Sequence, residues 1–112
     1  MKLLIVGSRT IKNFDLNGHV PAETDLIISG GAKGGDTLAE KYADEHGIDK
    51  LIIAPDYSNF GHYAPLKRNK EMVDLADAVL AIWDGRSRGT MHTIDYARSI
   101  GKTVLTVLYE SK

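Results

Sequence analysis

The feature that most restricts this chain is a set of five short, nearly unbroken apolar runs: Lys2 to Val6, Asp25 to Ser29, Lys50 to Ala54, Asp77 to Trp83 and Lys102 to Leu108. Runs of Leu, Ile, Val and Ala that do not alternate with polar residues read as strands covered on both faces, which is the pattern of parallel sheets. Helical periodicity separates most of them. From Asp36 onward, Leu38, Ala39, Tyr42 and Ala43 form one stripe that Gly47 ends. Pro65 opens a second helix with Leu66, Val73 and Ala76 inward. Met91, Ile94 and Ala97 mark a third, stopped by Gly101. Between Thr10 and Thr24, Asp15 is expected to cap a short helix that Gly18 weakens and Pro21 ends.

Strands alternating with helices at this spacing imply βαβ crossovers and a parallel sheet. The expected fold is α/β: a three-layer Rossmann-like sandwich on a five-stranded parallel sheet. Strand order 3-2-1-4-5 is preferred over its competitor 2-1-3-4-5, and both orders place ligands at the carboxyl ends of the strands. The 112 residues show no repeat, linker or low-complexity segment, so residues 1–112 read as one domain.

Fourteen Lys and Arg residues against fifteen Asp and Glu give a net charge of -1, which leaves no broad basic face for tracking a phosphate polymer. Nucleic acid is therefore not the expected partner. The absence of cysteine excludes disulfides, thiolate metal sites and cysteine nucleophiles, and a cytoplasmic setting is expected. No apolar run approaches the roughly 20 residues of a membrane helix, and no signal peptide is read at Met1 to Val6. His19, His46, His62 and His92 lack paired metal-ligand spacing, so no metal is expected, and no cofactor either.

In such a fold the loops after the strands converge on one edge, and here they hold most of the glycine: GSRT (Gly7 to Thr10), GGAKGGD (Gly30 to Asp36), Pro55 to Pro65, and DGRSRGT (Asp84 to Thr90). The second of these has the glycine separation of a phosphate loop, but Asp36 stands where the lysine belongs, and a carboxylate cannot neutralise β and γ phosphates. Asp36 is read as a helix cap, and the glycine-rich backbone around it as one that approaches a ligand closely. From this loop Gly30, Gly31, Lys33 and Asp36 are candidates for contact with sugar or base. In DGRSRGT, the residues Asp84, Ser87, Gly89 and Thr90 surround a helix N-terminus, with Arg86 and Arg88 adding positive charge; unpaired N–H groups and the helix dipole favour a phosphate there. Gly7, Ser8 and Arg9 after the first strand, and Arg68 with Asn69 near the start of the Pro65 helix, complete the candidate set. Tyr57, Phe60 and Tyr63 are spaced so that one or more can stack on a planar base or fold over the site. Trp83 is expected to face the core beside it, and His92 is the histidine nearest the phosphate loop.

VGSRT, ISGGAKGGDTLAEKYA, RNKEM, LADAVLAIWDGRSRGT and GKTV together resemble the SLOG superfamily, which joins the DNA-processing protein A fold with the Lonely Guy phosphoribohydrolases. The likeness runs from Lys2 to Leu108 and is strongest to the small stand-alone bacterial and phage members, the YspA-like, YpsA-related proteins. It implies a Rossmann-like domain whose loops bind a nucleotide or nucleotide-derived ligand. Lonely Guy enzymes cleave the N-glycosidic bond of nucleoside monophosphates with a PGGxGTxxE motif and an Arg on the preceding helix. Gly89 and Thr90 match the GT, and Arg68 matches that Arg. Gly85, Arg86 and Ser87 replace PGG, and Thr93 replaces the glutamate that would activate water or stabilise an oxocarbenium-like sugar. Asp36, Arg68 and Asp84 are then the candidate catalytic residues. Homodimerisation through helices flanking the sheet is a further implication of the resemblance.

The leading expectation is a binder of a nucleotide-derived small molecule, with phosphate at Gly89, Thr90 and Arg68. The alternative is an N-glycosidase acting on nucleoside monophosphates or related conjugates. Single-stranded DNA binding comes third, because polymer binding relies on several phosphate contacts that the balanced charge does not supply.

Overall fold

Strand β1 (Lys2–Gly7) sends Leu3 and Ile5 to one face and Leu4 and Val6 to the other, and all four are buried. This two-residue alternation is the origin of the layering, because each face needs its own cover. In the computed structural model, which describes residues 1–31 and 34–110, β1 is the central strand of a parallel sheet. Its neighbours are β2 (Leu26–Ser29) and β4 (Ala78–Trp83), with β3 (Asp49–Ile52) and β5 (Thr103–Leu108) outside them in the order β3-β2-β1-β4-β5. That is the preferred of the two expected orders. The register pairs Leu3 with Ile27 and with Ala78, so buried residues stand in rows across the three inner strands.

One core gathers Leu3, Ile5, Ile27, Leu80 and Ile82 beneath Ala39 and Ala43 of helix α1 (Gly35–His46). The other gathers Leu4, Val6, Ile28, Val79 and Ala81 beneath Met72, Val73 and Ala76 from α3 (Ala64–Leu75) and the residue after it, and beneath Ile94 and Ala97 of α4 (Arg88–Ser99). A four-residue helix, α2 (Tyr57–Phe60), and a 3₁₀ turn at Gly61–Tyr63 lead into α3. The Cα radius of gyration is 12.9 Å, close to the ~13 Å of a compact chain of about 100 residues. Among the described residues no helix is long and apolar enough to cross a membrane.

Several local expectations need correction. The outer strands are not covered on both faces: all four residues of β3 are exposed, and Leu105 and Leu108 of β5 are 40% and 60% exposed. An edge strand has a neighbour on one side only, and α1 and α4 reach it incompletely. No helix forms between Thr10 and Thr24. Asp15 instead accepts a hydrogen bond from the Asn17 N–H in a local turn, while Ile11 and Leu16 anchor the segment in the α1-side core. Leu66 and Met91, expected inward, are 39% and 37% exposed; on α4 the buried face is Thr90, Thr93, Ile94 and Ala97. Gly47 ends α1 as expected, in the left-handed conformation with its N–H on the Ala43 carbonyl.

Candidate functional site

Strands β1 and β4 run side by side to their carboxyl ends, where Gly7 pairs with Ile82. Here the sheet's connections part, those to β2 and β3 on one side and β5 on the other, which opens a crevice at the strand ends. The first turn of α1 closes one wall by backbone contact: a Cβ at Gly7 would lie 2.5 Å from the Gly35 Cα, and one at Gly35 would collide with the Gly7 backbone. Glycine at both positions is what lets the helix start against the strand end. The helix accordingly begins at Gly35 with Gly34 as its cap, so Asp36 is not the capping residue the sequence suggested but the second residue of α1, buried at the cleft wall. The resulting cleft has a volume of about 530 Å³ and is lined by Gly7, Arg9, Thr10 and Asp36 on one side, by Pro65, Arg68, Asn69 and Met72 of α3, and by Asp84, Arg86, Ser87, Gly89, Thr90 and Thr93.

The floor at α4 is held by Asp84. Its Oδ1 accepts the N–H groups of Ser87 and Arg86, both at 2.8 Å, and its Oδ2 accepts the Thr10 hydroxyl at 2.9 Å. Those donors, the Ser87 and Arg86 N–H groups first, hold the carboxyl at about 2, well below its ordinary value. It is ionised throughout the neutral range and already occupied as an acceptor, so it is a structural anchor rather than a proton donor. Ser8, expected to touch a ligand, is instead buried, its hydroxyl accepting the Asp84 N–H at 3.1 Å. Ser87, not Thr90, caps α4: its Oγ accepts the Thr90 N–H, while Trp83 donates its indole N–H to the Ser87 carbonyl at 3.0 Å.

With Ser87 and Thr90 satisfied, the N–H groups of Arg88 and Gly89 are the first-turn donors with no acceptor among the described residues. Gly89 has nothing within 4 Å of where a Cβ would stand. The packing of the chain therefore does not require glycine there, although glycine within a helix is unfavourable by roughly 0.5–1 kcal/mol relative to alanine. Open space, unpaired donors and the positive end of the α4 dipole coincide at this point.

Arg68 crosses the cleft from α3. Its Nη1 donates to the carbonyls of Gly30 at 2.8 Å and Ile53 at 3.3 Å, and its Nε donates to Asn69 Oδ1 at 2.8 Å. Its Nη2 has no acceptor among the described residues. Burial lowers the pKa of this half-buried guanidinium, Asp36 and Tyr57 oppose the shift, and Arg9 adds to it. A partly desolvated cation beside a second cation is stabilised by any anion that enters. A Cβ at Gly30 would come within 2.6 Å of Arg68 Nη1 and 3.0 Å of Asp36 Oδ2, so glycine is what leaves room for both side chains there. Gly30 and Gly31 do not line the main cleft. They line a second one of about 390 Å³, together with Pro55 and Tyr57, and it shares Arg9, Pro65 and Arg68 with the first.

Of the residues singled out in the sequence, Gly7, Arg9, Asp36, Arg68, Asn69, Asp84, Ser87, Gly89 and Thr90 meet in the main cleft. Lys33 lies outside the described residues. Arg86 lines the cleft, and Arg88 is not part of that lining. Thr93 is buried and donates its hydroxyl back to the Gly89 carbonyl at 3.0 Å. His92, expected near the cleft, is not part of its lining and instead lines a groove between α3 and α4. Phe60 packs under the Lys67 ammonium and Tyr63 against His62, which leaves Tyr57 as the aromatic of its loop that reaches a cleft. Sequence reasoning missed Thr10 and Pro65 as cleft residues; for Thr10 the signal was its position directly after Arg9 at the end of β1. Among the described residues no group of three or more His, Asp or Glu side chains is placed to hold a metal ion.

No protein-family model matches the chain, and no solved structure matches it significantly. It is similar to the Gene 61 protein of Mycobacterium phage D29, with 34% identity over 86 residues, an alignment covering 71% of this chain and 69% of that protein. With about a third of the aligned positions identical across more than two thirds of both proteins, the chain belongs to the family of the phage Gene 61 protein.

Proposed function

We propose that the chain binds a nucleotide or nucleotide-derived small molecule at the carboxyl ends of β1 and β4, as a member of the SLOG superfamily. The observation that carries this reading is the presence of Arg9, Arg68 and Arg86 in one cleft with Gly89 at the start of α4, where the glycine leaves the helix end open. Three guanidinium groups and two carboxylates line the cleft, and one of the carboxylates, Asp84, is ionised and already accepts two backbone N–H groups. The surplus favours a phosphate. A binding site for a phosphate ester predicts calorimetric titration of AMP with an affinity that weakens as ionic strength rises; a titration with no heat for AMP, ADP-ribose or inorganic phosphate at low salt contradicts it.

The N-glycosidase reading narrows to one residue. Asp84 serves as an anchor and Thr93 bonds to its own helix, while Asp36 lines the cleft near Arg68, where a carboxylate can stabilise an oxocarbenium-like sugar. It predicts slow release of free base from AMP that Asp36→Asn abolishes while AMP binding persists. Absence of base after prolonged incubation leaves the binding function alone.

A further inference from the structure

The main cleft does not end at Arg68. Arg9, Pro65 and Arg68 also line the second cleft, together with Gly30, Gly31, Pro55 and Tyr57. Tyr57 is 58% exposed, and its ring is held on a rigid base: Asp56 caps the short helix by accepting the Asn59 N–H at 3.2 Å and the Asn59 side-chain amide at 2.6 Å. The chain thus places a large aromatic surface at a cleft wall without covering it. Gly30 and Gly31 line the same cleft, so its lining combines an exposed aromatic ring with main chain. An exposed ring is a stacking platform, and every nucleobase has a face that stacks.

Resting on the binding function above, we infer that the ligand spans both clefts, with its anion on the first turn of α4 and its planar base stacked on Tyr57. The sugar crosses between them beside Pro65 and Arg68. Tyr57 is then the residue that recognises the base, and phosphate recognition is separate from it. Because a stack reads a π-face and not a hydrogen-bonding edge, the site accepts nucleobases in general.

The test compares AMP with ribose 5-phosphate by calorimetry on wild type, Tyr57→Ala and Tyr57→Phe, with thermal melts to establish that both variants fold. Stacking predicts that Tyr57→Ala weakens AMP roughly tenfold or more, leaves ribose 5-phosphate unchanged, and that Tyr57→Phe restores AMP binding. Equal affinity of Tyr57→Ala and wild type for AMP overturns the inference while the binding function stands. So does a loss shared by AMP and ribose 5-phosphate, or a Tyr57→Phe variant as weak as Tyr57→Ala, since the hydroxyl beside Arg68 would then be the active group. Failure of wild type to bind either probe removes both the inference and the function on which it rests.

Discussion

Gly35 and Gly89 both sit in the first turn of a helix at the carboxyl edge of the sheet, yet they answer to different constraints. A methyl group at Gly35 collides with the Gly7 backbone, which cannot swing aside as a side chain can. Gly35→Ala is expected to lower stability by about 1–3 kcal/mol, read as a fall in the urea midpoint with an unchanged slope. Gly89→Ala meets open space, so it should leave stability unchanged or raise it by up to about 1 kcal/mol, while weakening AMP binding. A Gly89→Ala protein that unfolds more easily would show that the space beside α4 is filled by the chain itself. Asp84 gives a pH-dependent test. Its folded-state pKa is depressed to about 2, so its contribution is present above the ordinary carboxylate value near 3.8 and is lost as pH falls toward 2. Asp84→Asn should flatten that part of the stability-versus-pH curve, with a deficit at neutral pH of about 1 kcal/mol from the weakened turn; an unchanged acid limb contradicts the anchoring role. None of these distinctions was legible in the sequence, where each residue is one polar or small position in a loop. Which glycine touches backbone depends on a partner about 30 residues away, and Asp84 ties its own loop to Thr10 about 75 residues away.

At the level of elements, the inner strands were the most legible part of the chain. An unbroken apolar run is the direct signature of two-sided burial, and β1, β2 and β4 have it for that reason. The same signature misled at β3 and β5, because an apolar run cannot report whether a strand has one neighbour or two. The segment between β1 and β2 failed for a different reason. Asp15 carries a capping side chain, but Ile11 and Leu16 are spaced to plug two points of the core, and the chain between them turns on local hydrogen bonds. Leu16 therefore acts as a core residue outside any helix or strand. Leu16→Ala should cost about 2–4 kcal/mol in a denaturant melt, as for a buried leucine elsewhere; a loss under 1 kcal/mol would mean that the segment is only loosely attached. Aromatic spacing in the loop before α3 left Tyr57, Phe60 and Tyr63 equivalent, and the short helix α2 is what separates them.

For the molecule as a whole, the strand order was one of two that the βα pattern permits, and the position of the cleft follows from the order. Nine of the thirteen residues singled out for ligand contact line one cleft because loops after parallel strands must emerge on one edge. The division of that edge into two clefts was not legible, since it depends on one arginine lying across the opening to reach the Gly30 and Ile53 carbonyls. The central claim is that this edge exists to hold a phosphate-bearing ligand on α4, and binding to the native state must then protect the fold. Melting curves of wild type and Gly89→Ala, with and without AMP at about 100 times its dissociation constant, test it most directly. The account predicts that AMP stabilises the wild type by about 2.7 kcal/mol. Gly89→Ala, as stable as wild type when alone, should gain far less at the same AMP concentration. Superimposed wild-type curves with and without AMP, ADP-ribose and inorganic phosphate would contradict it.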